Sequence, residues 1–254
     1  MWKLLYQSVP GTSHARSGQP CQDHCQARAK NTAEGPVAVL LCSDGAGSAA
    51  HSDFASRTAC RSLMRYVTDD LSAGLSVRDI TRDRVTDWHL RLRKELEEHA
   101  AKCKTELSHL ACTLLAAVVS PAAAAFSQVG DGAIVVRDGA AYRPVFWPQS
   151  GEFINTTCFV TDNQLADRLM FDRWPAGVEE VALFTDGLQM LALNFAQKKA
   201  HGPFFEPLFR KLRHAASPDA LNPSLKQFLD SPQVNSRCDD DKTLILATRS
   251  PARP

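Results

Sequence analysis

The chain has 254 residues, 44% of them hydrophobic, which is enough for one core of ordinary size. Its 29 Lys and Arg against 28 Asp and Glu leave a net charge of +1 without a basic block, so neither nucleic acid nor an anionic membrane is an expected partner. The longest apolar stretch, 111–126, is interrupted by Ser120-Pro121 and is too short to span a bilayer, while eight cysteines without CxxC pairs read as free thiols of a cytoplasmic protein.

Residues 1–7 lack the apolar run of a secretion signal, and 2–9 alternate loosely as a first strand. Cys21, His24 and Cys25 invite a zinc reading, but no second ligand pair follows at suitable spacing. The run 37–43 is almost wholly apolar, a buried strand, and it ends abruptly in Asp44-Gly45. Ala55, Ala59, Leu63 and Tyr66 recur at helical spacing, as do Val85, Trp88, Leu92, Leu96 and His99. His89 and His99 then belong to a helix rather than to a metal. Strands are predicted over 110–119, 126–129, 133–137 and 140–145, with Asp131 in a Gly-Asp-Gly turn and Asp138-Gly139 as an ordinary hairpin turn. Residues 146–180 read as irregular. A further strand, 181–185, runs into Asp186-Gly187, and a helix starts there. Helices are predicted over 203–213, whose Phe204, Phe205, Leu208 and Phe209 read as core, and over 223–229. Near the end, Cys238-Asp239-Asp240-Asp241-Lys242-Thr243 leads into the strand 244–247.

Four carboxylate clusters therefore sit on the ends of four strand-like runs. If the strands share a core, the carboxylates converge, and like charges that converge need a cation or a proton. An all-oxygen donor set suits Mg²⁺ or Mn²⁺ rather than zinc. The motifs Asp44-Gly45-Ala46-Gly47, Gly130-Asp131, Thr185-Asp186-Gly187 and Asp240-Asp241-Lys242-Thr243 occur in one order, preceded by Gly11-Thr12-Ser13-His14 and Gln22-Asp23. In this the chain resembles the metal-dependent type 2C Ser/Thr protein phosphatases over essentially its whole length, and among them the small bacterial members. Some of those are encoded beside a Ser/Thr kinase and a von Willebrand A-type protein, which makes a kinase an expected partner besides the phosphorylated protein substrate.

The resemblance implies an α+β fold, a four-layer α-β-β-α sandwich of two antiparallel sheets flanked by helices, formed by 1–254 as one domain. It implies two Mn²⁺ or Mg²⁺ ions bridged by Asp44, with the Gly45 carbonyl, Asp186 and Asp240 completing the ligands. Asp131 with Asp186 would hold a third ion, and Asp23 would hold a metal-bound water. The implied activity is hydrolysis of phosphoserine and phosphothreonine by that water. Where many relatives carry Glu before the Asp, this chain has Gln22, and where the phosphate-gripping Arg is expected, it has Gly18. His14 or Arg16 is then the candidate grip for the phosphate. A flap over the site is implied within 146–180, with 151–157 facing the substrate. The rival readings are a non-catalytic phosphoprotein-binding module on the same fold, and a metal-dependent small-molecule phosphatase or phosphodiesterase.

Overall fold

The computed structural model of the chain describes residues 1–149 and 157–249. Strand β1 (Trp2–Val9) and a short helix α1 (Thr12–Ser17) lead into the hairpin of β2 (His24–Thr32) and β3 (Gly35–Ser43). The long helices α2 (Ser52–Ser72) and α3 (Arg82–Cys103) follow, then β4 (Leu114–Val119), β5 (Ala124–Val129), β6 (Ala133–Asp138) and β7 (Ala141–Pro144). After α4 (Leu165–Arg168) come β8 (Met170–Trp174), β9 (Glu180–Phe184), α5 (Gln189–Ala192) and a two-residue pair, β10 (Leu193–Asn194) with β11 (Lys199–Ala200). Helices α6 (Gly202–His214), α7 (Asn222–Leu229) and α8 (Pro232–Asn235) precede the last strand, β12 (Lys242–Arg249).

Two five-stranded sheets result, ordered β2-β3-β4-β5-β8 and β1-β12-β9-β6-β7, and every neighbouring pair is antiparallel. The period-two alternation of strand side chains sorts the core into three layers. On β3, Val39 and Leu41 face Leu63, Trp88 and Leu92 of the first helical pair. Between them Ala38, Leu40 and Cys42 face the opposite sheet and meet Leu183, Ile245 and Ala247. On β12, Leu244 and Leu246 turn the other way, onto Phe205 and Phe209 of α6. Both faces of the central strands are buried, which is why they read as continuous apolar runs instead of alternating ones. The fold is therefore the expected α+β sandwich of two antiparallel sheets with flanking helices.

Three local differences from the expected elements are found. Residues 107–110 form a 3₁₀ turn, so the fourth strand starts at Leu114 and not at 110. Strand β5 starts two residues before the expected Phe126. The stretch 146–180, expected to be irregular, contains α4 and the edge strand β8, whose Asp172 and Arg173 face solvent and hide its pattern. Of the expected substrate-facing residues 151–157, all but Thr157 lie outside the described residues. As expected, Gly139 has φ of 60° in the β6–β7 turn, His89 is buried in α3, and all eight cysteines are free thiols.

The registers put the acidic turns at one end of the sandwich. Phe184, the last residue of β9, pairs with Ala133 on one side and Leu244 on the other. In the facing sheet, the end of β3 lies beside the start of β4, and that start lies beside the end of β5. The turns holding Asp44, Asp131, Asp186 and Asp240 therefore share one edge.

Candidate metal centre

At that edge a cleft of about 340 Å³ opens, lined among others by His14, Asp44, Gly45, Asp131, Asp186 and Asp240. Asp44, Asp131 and Asp186 each place a carboxylate oxygen within 4.8 Å of the others, and His14, Asp240 and Asp241 form a second group within the same limit. Six of the residues expected to hold metal or phosphate, His14, Asp44, Gly45, Asp131, Asp186 and Asp240, are thus brought together. Arg16 is not: it lies on α1, is 74% exposed, and stands 3.5 Å from Asp239. Residues 12–17 form the helical turn α1, and this turn carries Arg16 away from the cleft while His14 stays on it.

Threonines hold the carboxylates in place. Ser43 Oγ donates to the Thr113 carbonyl at 2.5 Å, the Asp44 amide donates to Thr113 Oγ1 at 2.9 Å, and the Thr113 amide donates to the Asp44 carbonyl at 2.8 Å. Thr157 donates to Asp131 at 2.7 Å, and Gln189 Nε2 donates to the Asp131 carbonyl at 2.6 Å. Asp23 is buried behind the cleft, where its carboxylate accepts the Thr185 hydroxyl at 2.7 Å. Thr185 in turn accepts the Thr243 amide at 3.0 Å, so one chain of bonds crosses from the β2 side to β9 and β12.

The three consecutive aspartates, just before β12, differ in where they point. Asp240 is exposed on the cleft, whereas Asp241 is 2% exposed and turned inward. Its two oxygens accept the Gly11 and Gln22 amides, each at 2.6 Å, which pins the amino-terminal segment to the start of β12. His14 Nδ1 lies 2.9 Å from the same carboxylate as an ion pair without the alignment of a hydrogen bond. Close packing accompanies this: a Cβ on Gly11 would come within 2.3 Å of the Asp239 carbonyl oxygen, and one on Gly187 within 2.0 Å of that of Asp241. Only glycine permits the two contacts. Asp241 and the supporting threonines escaped the sequence reading, since the Asp run precedes β12 and shows no alternation that would mark Asp241.

The electrostatics favour a neutralising proton or cation. Burial, then repulsion from Asp23, Asp186 and Asp131, holds the Asp44 carboxyl well above the usual carboxylate range. Burial followed by Asp131 and Asp240 raises Asp186 to about 7, and burial also raises Asp131. Asp23 is pushed up to about 8 mainly by burial, against the opposing Thr185 hydrogen bond. Asp44, Asp131 and Asp186 keep part of their surface open to the cleft, so the protein desolvates them without sealing them. One oxygen each of Asp131 and Asp23 is buried without a hydrogen-bond partner among the described residues. Unpartnered, mutually repelling oxygens fit a hard divalent cation, and no thiol or imidazole joins the Asp44, Asp131 and Asp186 group.

A sandwich of two antiparallel sheets that gathers carboxylates at one end defines a class of cation-dependent phosphatases, and comparison with known proteins bears on it directly. The family described as protein phosphatase 2C matches residues 10–230. A protein of Escherichia coli (strain K12), serine/threonine-protein phosphatase 3, is 38% identical over 250 residues, covering 97% of this chain and 98% of that one. Among solved structures, a bacterial serine phosphatase superposes with a TM-score of 0.64 at 14% identity over 100% of both chains. The serine/threonine phosphatase Stp1 from Staphylococcus aureus gives a TM-score of 0.62 at 16% identity over 99% of this chain and 96% of that one. The chain belongs to the protein phosphatase 2C family, the metal-dependent serine/threonine phosphatases that its motifs resemble, and is an enzyme of that class.

Proposed function

We propose that the chain, as one domain over 1–254, hydrolyses phosphoserine and phosphothreonine in proteins with two Mn²⁺ or Mg²⁺ ions held at this edge. The observation that carries the reading is the meeting of Asp44, Asp131 and Asp186 within 4.8 Å from three distant strand ends. In this reading Asp44, the Gly45 carbonyl, Asp186 and Asp240 would hold the two ions, with Asp44 common to both, and Asp131 with Asp186 would hold a third. Bound there, the ions would activate a water for direct attack on phosphorus and neutralise charge on the phosphoryl oxygens.

The chain's own residues do the rest. Asp23, behind the cleft, accepts a proton or a hydrogen bond from water, and Thr185 fixes the direction of its carboxylate. His14 faces the cleft, 2.9 Å from the Asp241 carboxylate, where it would reach a bound phosphate. Arg16 has no part in the grip, because its helix carries it outward. Gln22, neutral where many relatives carry Glu, would leave one negative charge fewer near the second ion. Eight free thiols fit the cytoplasm, and no helix among the described residues is long and apolar enough to cross a membrane. A kinase acting on the same proteins is the expected counterpart. Retention of Asp44, Asp186 and Asp240 argues against a non-catalytic binding module.

The test is phosphate release from phosphoserine and phosphothreonine peptides, set against p-nitrophenyl phosphate and a phosphodiester, each with Mn²⁺ and with EDTA. Release from the peptides that requires Mn²⁺ is expected. Preference for the phosphodiester would transfer the site to the rival hydrolase, and silence on every substrate would favour the binding module.

A further inference from the structure

Lys242 is the one lysine or arginine that is buried among the described residues, with 0% of its surface exposed. Burying an ammonium is costly unless it is paired, so a lysine persists in such a place only if its contacts return that cost. It opens β12 on the same face as Leu244 and Leu246, the helix side of the sheet. The single hydrogen bond of its side chain among the described residues runs from Nζ to the Asp240 carbonyl at 3.0 Å. Its stem packs under the neighbouring acidic turn, since a Cβ on Gly187 would sit 3.2 Å from Lys242 Cγ. One side chain thus touches both the Asp186-Gly187 turn and the backbone from which the Asp240 carboxylate enters the cleft.

We propose that Lys242 is a positioning residue for the cation site: it fixes Asp240 through the carbonyl, and its stem sets the spacing of that turn from Asp186. The proposal rests on the cation-binding reading above. Two effects of the residue on cation affinity have opposite signs. Its positive charge repels a second cation, so electrostatics alone makes removal of the charge tighten Mn²⁺ binding. Its hydrogen bond orders a ligand, so loss of the bond loosens Mn²⁺ binding. A purely structural role in the core would lower stability and leave binding unchanged.

Calorimetric titration of Mn²⁺ into metal-free wild type, Lys242→Met and Lys242→Gln separates these, with thermal melts of the metal-free proteins as the control for folding. Met keeps the stem without a donor, and Gln keeps a neutral donor. Lys242→Met is expected to bind Mn²⁺ about tenfold more weakly, and Lys242→Gln to stay within about threefold of wild type. Unchanged or tighter binding by Lys242→Met would overturn the proposal, as would a tenfold loss in Lys242→Gln. If Lys242→Met does not fold, the Gln variant decides by the same threshold. Wild type that fails to bind Mn²⁺ at all would remove the cation reading and the proposal together, whereas binding by wild type with an indifferent Lys242→Met would remove the proposal alone.

Discussion

Asp131 and Asp138 share an Asp-Gly sequence and differ in what surrounds them. Asp131 accepts Thr157 at 2.7 Å and faces Asp44 and Asp186, whereas Asp138 caps an exposed hairpin and pairs with Arg143 at 2.7 Å. Asp131→Ala is expected to slow turnover at fixed Mn²⁺ by tenfold or more, about 1.4 kcal/mol of barrier, and Asp138→Ala to leave it unchanged. Equal rates in the two variants would contradict the distinction. Asp241 belongs to a different category from Asp240 next to it. Asp241→Ala strands the Gly11 and Gln22 amides, each bound at 2.6 Å, and should cost about 2–4 kcal/mol of stability on a denaturant titration. An unchanged midpoint would show that the amino-terminal segment is held by other means.

Among the elements, α6 offers the clearest separation of stability from chemistry. Phe209 is fully buried and stacks on Tyr142 at 5.6 Å, a layer away from the cleft. Phe209→Ala should therefore lower stability by about 3–5 kcal/mol in chemical denaturation while Mn²⁺ affinity in the folded protein stays the same. Reduced affinity in protein shown to be folded would mean that the helix layer reaches the site.

The same elements explain what the sequence disclosed. The central strands were legible because burial on both faces makes them continuous apolar runs, and their acidic ends stood out against that background. Helix α3 was legible from Val85, Trp88, Leu92 and Leu96. Strand β8 was not, because Met170 to Trp174 is an edge strand with two residues in solvent and owes its place to pairing with β5. Helix α1 was invisible because none of its six residues is buried, so no periodicity marks it. Its consequence, Arg16 outside the cleft and His14 on it, depends on a direction that residue spacing does not encode. Thr113 and Thr185 were passed over for a related reason: a hydrogen bond across 58 or 69 residues leaves no local trace.

For the molecule as a whole, the clustered carboxylates tie stability to pH and to the cation. Asp186 and Asp23 have folded-state values raised to about 7 and about 8, above the ordinary carboxylate value of roughly 3.9 in the unfolded chain. The folded protein then binds more protons than the unfolded one between those limits, so stability is full below about pH 4 as far as these groups are concerned and falls as pH rises through 7 to 8. Thermal melts of the metal-free protein should drop across that window, and Mn²⁺ should remove most of the slope by replacing the protons. A metal-free melting temperature that rises between pH 5 and pH 8 would contradict the clustering.

The most direct measurement is the rate of phosphate release from a phosphothreonine peptide as a function of Mn²⁺, for wild type and for Asp186→Asn. Asparagine is close in size to aspartate but brings no charge, and Asp186 stands within 4.8 Å of both Asp44 and Asp131. Wild type should turn over with saturable dependence on Mn²⁺ and stop in EDTA, while folded Asp186→Asn should fall by a hundredfold or more, about 2.7 kcal/mol of barrier, at Mn²⁺ that saturates wild type. Release by wild type that persists undiminished in EDTA, or near wild-type turnover by Asp186→Asn, would contradict a cation site built from these strand ends.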